Sequence, residues 1–256
     1  MSNAASDINE PQGAGAAIAA QSGRGRILRW LLFAFTIWFF IPYYLTCLYI
    51  FVDPPLTAFM LGDAFGGRRI NYRWRDLEQI APNLIIQVIA SEDGRFCEHW
   101  GVDWSAIDKA VDAIAEGRPR GGGSTIPMQT AKNLFFWNRP AFLRKPFEIL
   151  LSYYMDLVLG KERLIEIYLN VVEWGPGLYG AEAAAQRYFG KSAALLSTQE
   201  AAQLAAALPN PKRRNAGRPG PRTFALASRL RARALREREA AHCVLAGRSG
   251  EGVFDW

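Results

Sequence analysis

The chain predicts a mainly α-helical fold behind one N-terminal membrane-spanning helix, on three observations. Residues 30–52 run 23 positions without a charge. From Pro82 onward, apolar residues recur at helical spacing in segment after segment. Alternating apolar and polar runs are nearly absent, so any strands are expected between the anchor and Pro82. Half of the 256 residues are hydrophobic, enough for one sizeable core and little more than one domain besides the anchor.

The apolar run comes first. As a helix its 23 residues rise roughly 35 Å, enough to cross a hydrocarbon core of about 30 Å with some tilt. A cleaved signal peptide has a shorter apolar region and a small-residue cleavage site, and neither is found here. Pro42 kinks the span in a manner that membrane helices tolerate. Arg24, Arg26 and Arg29 precede it and Asp53 follows, so the N-terminus is expected in the cytoplasm and the rest outside. The expected divisions are a disordered tail (1–26), the anchor (27–53), a connector with any short strands (54–81), the main domain (82–247) and a C-terminal tail (248–256). Cys47 lies in the span, leaving Cys97 and Cys243 outside; an oxidising compartment permits one disulfide, although no local feature supports it. A net charge of +6 and a pI near 9.4 suit anionic headgroups or a pyrophosphate. Nucleic acid is an unsuitable partner for a domain placed outside.

Along the outer part, Pro82 opens a helix whose Leu84, Ile85, Val88 and Ile89 share a face. It runs out at Ser91-Glu92-Asp93-Gly94, which places Glu92 at a helix end. Residues 103–116 repeat the theme with Ile107, Ala110, Val111 and Ile114, and Gly117 is the stop. Gly121-Gly122-Gly123 leads to Ser124, the expected N-cap of a helix with Pro127 in its first turn. On that helix Gln129, Lys132 and Asn133 form one polar stripe. Pro146 is expected in the first turn of the next helix, with Glu148, Ser152 and Asp156 on one face. Residues 164–169 and 182–189 are further helices, and Ser197-Thr198-Gln199-Glu200 is a capping box before an alanine-rich helix ending at Pro209. The segment 229–238 reads as a basic helix suited to a membrane surface.

Glu92 and Glu148, placed to share a cleft, suit acid/base chemistry at a sugar carbon, and Lys132, Arg144 and Lys145 between them suit a phosphate leaving group. In order, the blocks Glu92-Asp93-x-x-Phe96-x-x-His99-x-Gly101-x-Asp103, Gly122-Gly123-Ser124-Thr125-Ile126, Arg144-Lys145-x-x-Glu148, Ile165-Glu166-Ile167-Tyr168-Leu169-Asn170 and residues 177–191 resemble the five signature blocks of the peptidoglycan glycosyltransferase family, family 51 of the glycosyltransferases. The match runs from about residue 89 to residue 211 in register, and Glu173-Trp174-Gly175-Pro176-Gly177 is similar to the monofunctional biosynthetic transglycosylase branch. No Ser-x-x-Lys of an attached transpeptidase is found in the outer part.

The resemblance implies a lysozyme-like glycosyltransferase domain with a small membrane-associated jaw. It implies polymerisation of lipid II into β-1,4-linked glycan with inversion and release of undecaprenyl pyrophosphate. Glu92 is then the general base on the acceptor 4-hydroxyl, and Glu148 the second catalytic carboxylate, near the donor's pyrophosphate. For Glu148 the plainer alternative is a helix-capping carboxylate. Lys132, Arg144 and Lys145 compensate the departing charge, and Ser124 and Thr125 add hydrogen bonds. Asp93, Gln129 and Asn133 complete the expected substrate-binding set, with Asp93 also expected to influence the ionisation of Glu92 by adjacency. His99, with only His242 besides it, is expected to hold its loop rather than a metal. Tyr168 and Asn170 read as scaffold. No protein metal site is expected; a Mg or Mn ion at the pyrophosphate is compatible with the chemistry. The implied partners are lipid II, the growing glycan chain and the membrane, with cell-division and other cell-wall proteins as candidates. The implied place is the bacterial inner membrane, single-pass, with the catalytic part periplasmic.

Four positions depart from the family pattern: Pro127-Met128 where Thr or Ser and then Gln are usual, Asp156 for Glu, and Ser152 for Ala. Two other functions compete. A lytic enzyme of similar fold would not need the basic cluster, and a non-catalytic membrane scaffold is the alternative that the Pro127-Met128 departure keeps in play.

Overall fold

The structure is a computed structural model and describes residues 13–117, 122–136, 140–234 and 241–246. Helix α1 (Gly13–Leu48) contains the apolar run, with Pro42 inside it. Residues 25–48 are long and apolar enough to cross a membrane, and Trp30, Phe33, Trp38 and Phe40 along it are exposed. The helix begins at Gly13, so residues 13–26 are helical where an unstructured tail was expected. Ala14, Ala16, Ala17, Ala19 and Ala20 favour a helix there, against the opposing preference of Gly13, Gly15, Gly23 and Gly25. Residues 1–12 and the C-terminal tail 248–256 lie outside the described residues. Residues up to Tyr44 form one unit, and those from Leu45 a second compact unit.

After α1 a helix forms where an irregular or short-stranded connector was expected. Helix α2 (Ala58–Phe65) is capped by Thr57, whose hydroxyl accepts a hydrogen bond from the Met60 N–H at 3.1 Å. Strand β1 (Asn71–Tyr72) follows. Strands also form outside the connector, which corrects the expectation that they would be confined to it. β2 (Glu173–Gly175) and β3 (Leu178–Tyr179) are antiparallel, and β3 pairs in parallel with β1. These strands are only two or three residues long, too short for periodicity to reveal, and the β1–β3 pairing joins segments about a hundred positions apart.

The remaining elements are helices. α3 (Pro82–Glu92) buries Leu84, Ile85, Val88 and Ile89 completely; removing each from water is worth roughly 1.5–3 kcal/mol. It packs against α8 (Thr198–Ala207) and α9 (Pro221–Ala234). The capping box of α8 forms as expected, with Ser197 and Glu200 bonded reciprocally. Its alanines 201, 202, 205 and 206 are fully buried, and such short side chains let helix axes approach closely. The basic segment is part of α9 as far as Ala234, whereas Leu235–Arg238 lie outside the described residues. α4 (Trp104–Ala115) is capped by Asp103, which accepts from the Ala106 N–H at 2.9 Å.

α5 (Ile126–Phe135) packs along α6 (Ala141–Val171). α6 bends at Gly160, whose φ of 70° and ψ of 170° are non-helical, a conformation essentially reserved for glycine. It begins at Ala141, so Pro146 lies inside the helix and not in its first turn. The extension is possible because the ring of Pro146 deletes only one backbone bond close to the start. α7 (Ala181–Phe189) ends at Gly190, and α10 (His242–Leu245) is tied to the loop after α3 by a disulfide between Cys97 and Cys243. That pairing had no local signal in the sequence because the two positions are 146 apart.

Candidate active site

Glu92 is the last residue of α3. Its Oε2 accepts a hydrogen bond from the Gln129 side-chain amide at 3.0 Å, and its Oε1 accepts one from the Ser91 hydroxyl at 3.3 Å. Gln129 stands on α5 and itself accepts at Oε1 from the Tyr168 hydroxyl at 3.2 Å. Burial pushes the Glu92 carboxyl above the ordinary carboxylate range, while the bonds from Gln129 and Ser91 and the charges of Lys132 and Arg214 hold it down. A carboxylate raised in this way takes a proton more readily, as a general base must.

Asp93 turns away from Glu92. One of its oxygens lies 2.9 Å from His99 Nε2 and the other accepts from the Ile126 N–H at 2.9 Å, so it ties the motif loop to the start of α5. The expected influence of Asp93 on Glu92 by adjacency is not among the causes acting there, which are burial, the bonds from Gln129 and Ser91, and the charges of Lys132 and Arg214. His99 holds its loop, as expected, through Asp93 and through its carbonyl, which accepts from Lys161 Nζ at 2.6 Å. Lys161 also donates to Asp156 at 2.8 Å and stands over the Phe96 ring. The shortened carboxylate of Asp156 therefore still finds a cation. Gly101 is fixed by space: its φ is +79°, and a Cβ there would sit 2.6 Å from the Ser152 carbonyl oxygen.

Thr125, and not Ser124, caps α5. Its hydroxyl accepts from the Met128 N–H and donates to the Gly101 carbonyl at 2.5 Å, which engages a group expected to bind substrate. Ser124, one position earlier, is left to accept from Lys145 Nζ at 2.8 Å. Pro127 is a first-turn proline as expected, and Met128 is 1% exposed. The position where the family usually carries a glutamine thus faces the core in this chain, while the amide kept at Gln129 faces Glu92.

The cations gather at the other side. Arg144 and Lys145 on α6 both reach the buried carboxylate of Glu148, Arg144 by a short ion pair and Lys145 at 3.4 Å. With α6 starting at Ala141, Glu148 lies beyond the first turn, which removes capping as its explanation. Burial and the neighbouring charges of Arg144 and Lys132 lower the Lys145 ammonium to about 8. Lys132 is also lowered, by burial first and then by Arg144, with Glu92 and Glu173 opposing. A cavity of about 120 Å³ is lined by Glu92, Asp93, Asp103 and the segment 122–125. Through Ser124 it joins the Glu92 side to the cation side. Asn133 is buried, and the hydrogen bonds that join Glu92, Gln129, Ser124 and the cations run without it.

Sequence reasoning missed four contributors. Tyr168 was expected as scaffold, yet its hydroxyl reaches Gln129. Ser91 bonds Glu92, and its position beside that residue was the available signal. Arg214 lies within electrostatic reach of Glu92, and Glu173 of Lys132; neither carried a local signal. Among the described residues no three His, Cys, Asp or Glu side chains gather as a metal site.

The model of the Transglycosylase family matches residues 60–237. A biosynthetic peptidoglycan transglycosylase of Rhizobium leguminosarum bv. trifolii (strain WSM2304) is 44% identical over 224 residues, covering 87% of this chain and 96% of the relative. Those of Agrobacterium fabrum (strain C58 / ATCC 33970), 48% identical over 191 residues and covering 75% and 84%, and Nitrobacter winogradskyi (strain ATCC 25391 / DSM 10237 / CIP 104748 / NCIMB 11846 / Nb-255), 44% identical over 195 residues and covering 76% and 86%, are similar.

Proposed function

From the premise that this chain belongs to the transglycosylase family and is a peptidoglycan glycosyltransferase, we propose that it polymerises lipid II into β-1,4-linked glycan with inversion, with Glu92 as general base and undecaprenyl pyrophosphate as leaving group. The observation that carries this reading is the pairing of a half-buried carboxylate with a separate cluster of cations around one polar cavity. Glu92 removes the proton from the acceptor 4-hydroxyl as that oxygen attacks the donor's anomeric carbon. The anomeric bond to the pyrophosphate oxygen breaks on the opposite face, and the electron pair leaves with the pyrophosphate. Lys132, Arg144 and Lys145 stabilise that charge as it develops, with Ser124 aligned by Lys145. Glu148, buried beneath Arg144 and Lys145, keeps those cations in place. The side chains at the cation cluster do not fit a resident divalent cation, because three of them are themselves cations, and no step is assigned to a metal.

Two further features support the cellular placement. The cross-link between Cys97 and Cys243 fits an oxidising compartment, and the arginines before the apolar helix favour a cytoplasmic N-terminus. We therefore place the catalytic unit on the periplasmic face of the inner membrane. Val111 and Ile114 on α4, and Phe142, Leu143, Leu150 and Leu157 on α6, are exposed. Such apolar surface suits a membrane-facing jaw that meets a lipid-borne substrate. Incubation with labelled lipid II and, separately, with finished peptidoglycan tests the reading. Polymer from the first and no fragments from the second are expected; fragments from the second with no polymer from the first would establish a lytic enzyme instead.

A further inference from the structure

The two ends of the Gln129 amide have nearly the same shape, so hydrogen bonding alone decides which end faces Glu92. The nitrogen end, toward Oε2, donates to the carboxylate; the oxygen end in that place would set two acceptors against each other. The carboxylate thus selects the first arrangement, and the Tyr168 hydroxyl, donating to the Gln129 oxygen at 3.2 Å, holds the amide in it from the other end. Tyr168 is fully buried on the face of α6 that also buries Leu164, Ile165 and Leu169. It is an otherwise apolar surface that carries one polar atom, aimed at the one amide that touches the base. Among the described residues the carboxylate's Oε1 is bonded only by Ser91, at a longer 3.3 Å.

We propose that Tyr168 is a positioning residue for the proton transfer: by holding the oxygen end of Gln129 it fixes the amide nitrogen on Glu92 Oε2 and leaves Oε1 to take the acceptor's proton. The proposal rests on the reading of Glu92 as the base. Burial and the negative charges of Glu92 and Asp93 push the Tyr168 phenol far up, so it remains a donor throughout the working range. The other groups acting on Glu92 are Lys132 on α5 and Arg214 ahead of α9, and neither touches the Gln129 oxygen through the bonds described.

The test is the pH dependence of lipid II polymerisation by the full-length protein in detergent, for the wild type, Tyr168→Phe, Gln129→Met and the double variant. Tyr168→Phe keeps the buried ring and loses only the hydroxyl. It should lower kcat roughly 3- to 10-fold, the worth of one hydrogen bond, with KM unchanged. The acid limb should move to higher pH, because a carboxylate that loses a donor holds its proton longer. Gln129→Met should move the same limb in the same direction, and Tyr168→Phe should then cost nothing further. An acid limb unmoved in either single variant, or equal losses with and without Gln129, would reduce Tyr168 to packing and overturn the proposal. Glu92→Gln separates the two claims: if it is inactive while Tyr168→Phe is normal, only the role of Tyr168 fails; if it is active, the base assignment fails and this proposal with it.

Discussion

Lys145 shows how one side chain's surroundings set a measurable limit on the reaction. Its ammonium titrates at about 8, so in the free enzyme it is charged below that pH and neutral above it. On the proposed mechanism, stabilisation of the leaving pyrophosphate by Lys145 is therefore present on the acid side and lost as pH rises through about 8. The alkaline limb of kcat/KM, which reports the free enzyme, should fall in that region. Lys145→Arg, which stays charged throughout, should carry the limb to higher pH, and a limb in the same place would assign it to another group. Of the residues proposed for the chemistry, Glu92, Arg144, Lys145 and Glu148 could be singled out because they come in fixed order within short blocks, and Lys132 because it shares a helix stripe with Gln129. Tyr168 was not, because its function depends on the Gln129 oxygen, 39 positions away, and a tyrosine among buried leucines and isoleucines reads as core. Asp93 was misread for the opposite reason, since adjacency in sequence placed it beside Glu92 while the turn at the end of α3 carried its carboxylate elsewhere.

At the scale of elements, the bend in α6 is the feature that most directly serves the site. The first half of the helix carries Arg144, Lys145 and Glu148, and just past Gly160 comes Lys161, which holds the loop after Glu92 through the His99 carbonyl and Asp156. Gly160→Ala meets no steric neighbour but forces a side chain into a glycine-only backbone conformation. It should destabilise the protein by about 1–3 kcal/mol, and thermal unfolding in detergent would show a lowered midpoint. An unchanged midpoint would mean that the bend is not held by the rest of the fold. The helices α3, α4, α7 and α8 were legible within a residue or two, whereas α2 was read as connector and α9 begins eight positions ahead of the basic segment. The misplacements have local causes. Pro146 reads as a first-turn residue because that is where proline is cheapest, yet the helix extends one turn ahead of it. Ser124 and Thr125 are both good N-caps, and the Gly101 carbonyl decides for Thr125. The short strands depend on pairing between distant segments, which local composition does not encode.

At the scale of the molecule, the catalytic unit is drawn together by two long-range ties, the β1–β3 pairing and the disulfide. Cys97 is in the loop that follows Glu92, so the cross-link anchors that loop to α10. Opening it with Cys97→Ala releases a loop of 146 positions and should cost about 2–4 kcal/mol. The comparison to make is the unfolding midpoint of this variant against the wild type, and equal midpoints would show the tie to be dispensable. The central claim is that Glu92 is the base of a glycan polymerase. Its most direct test is polymerisation of labelled lipid II by the wild type and by Glu92→Gln, each shown to be folded, with products resolved as glycan ladders. Removal of the base should lower the rate by about 10²–10⁴-fold, leaving ladders from the wild type alone. Ladders of similar intensity from both proteins would contradict the account.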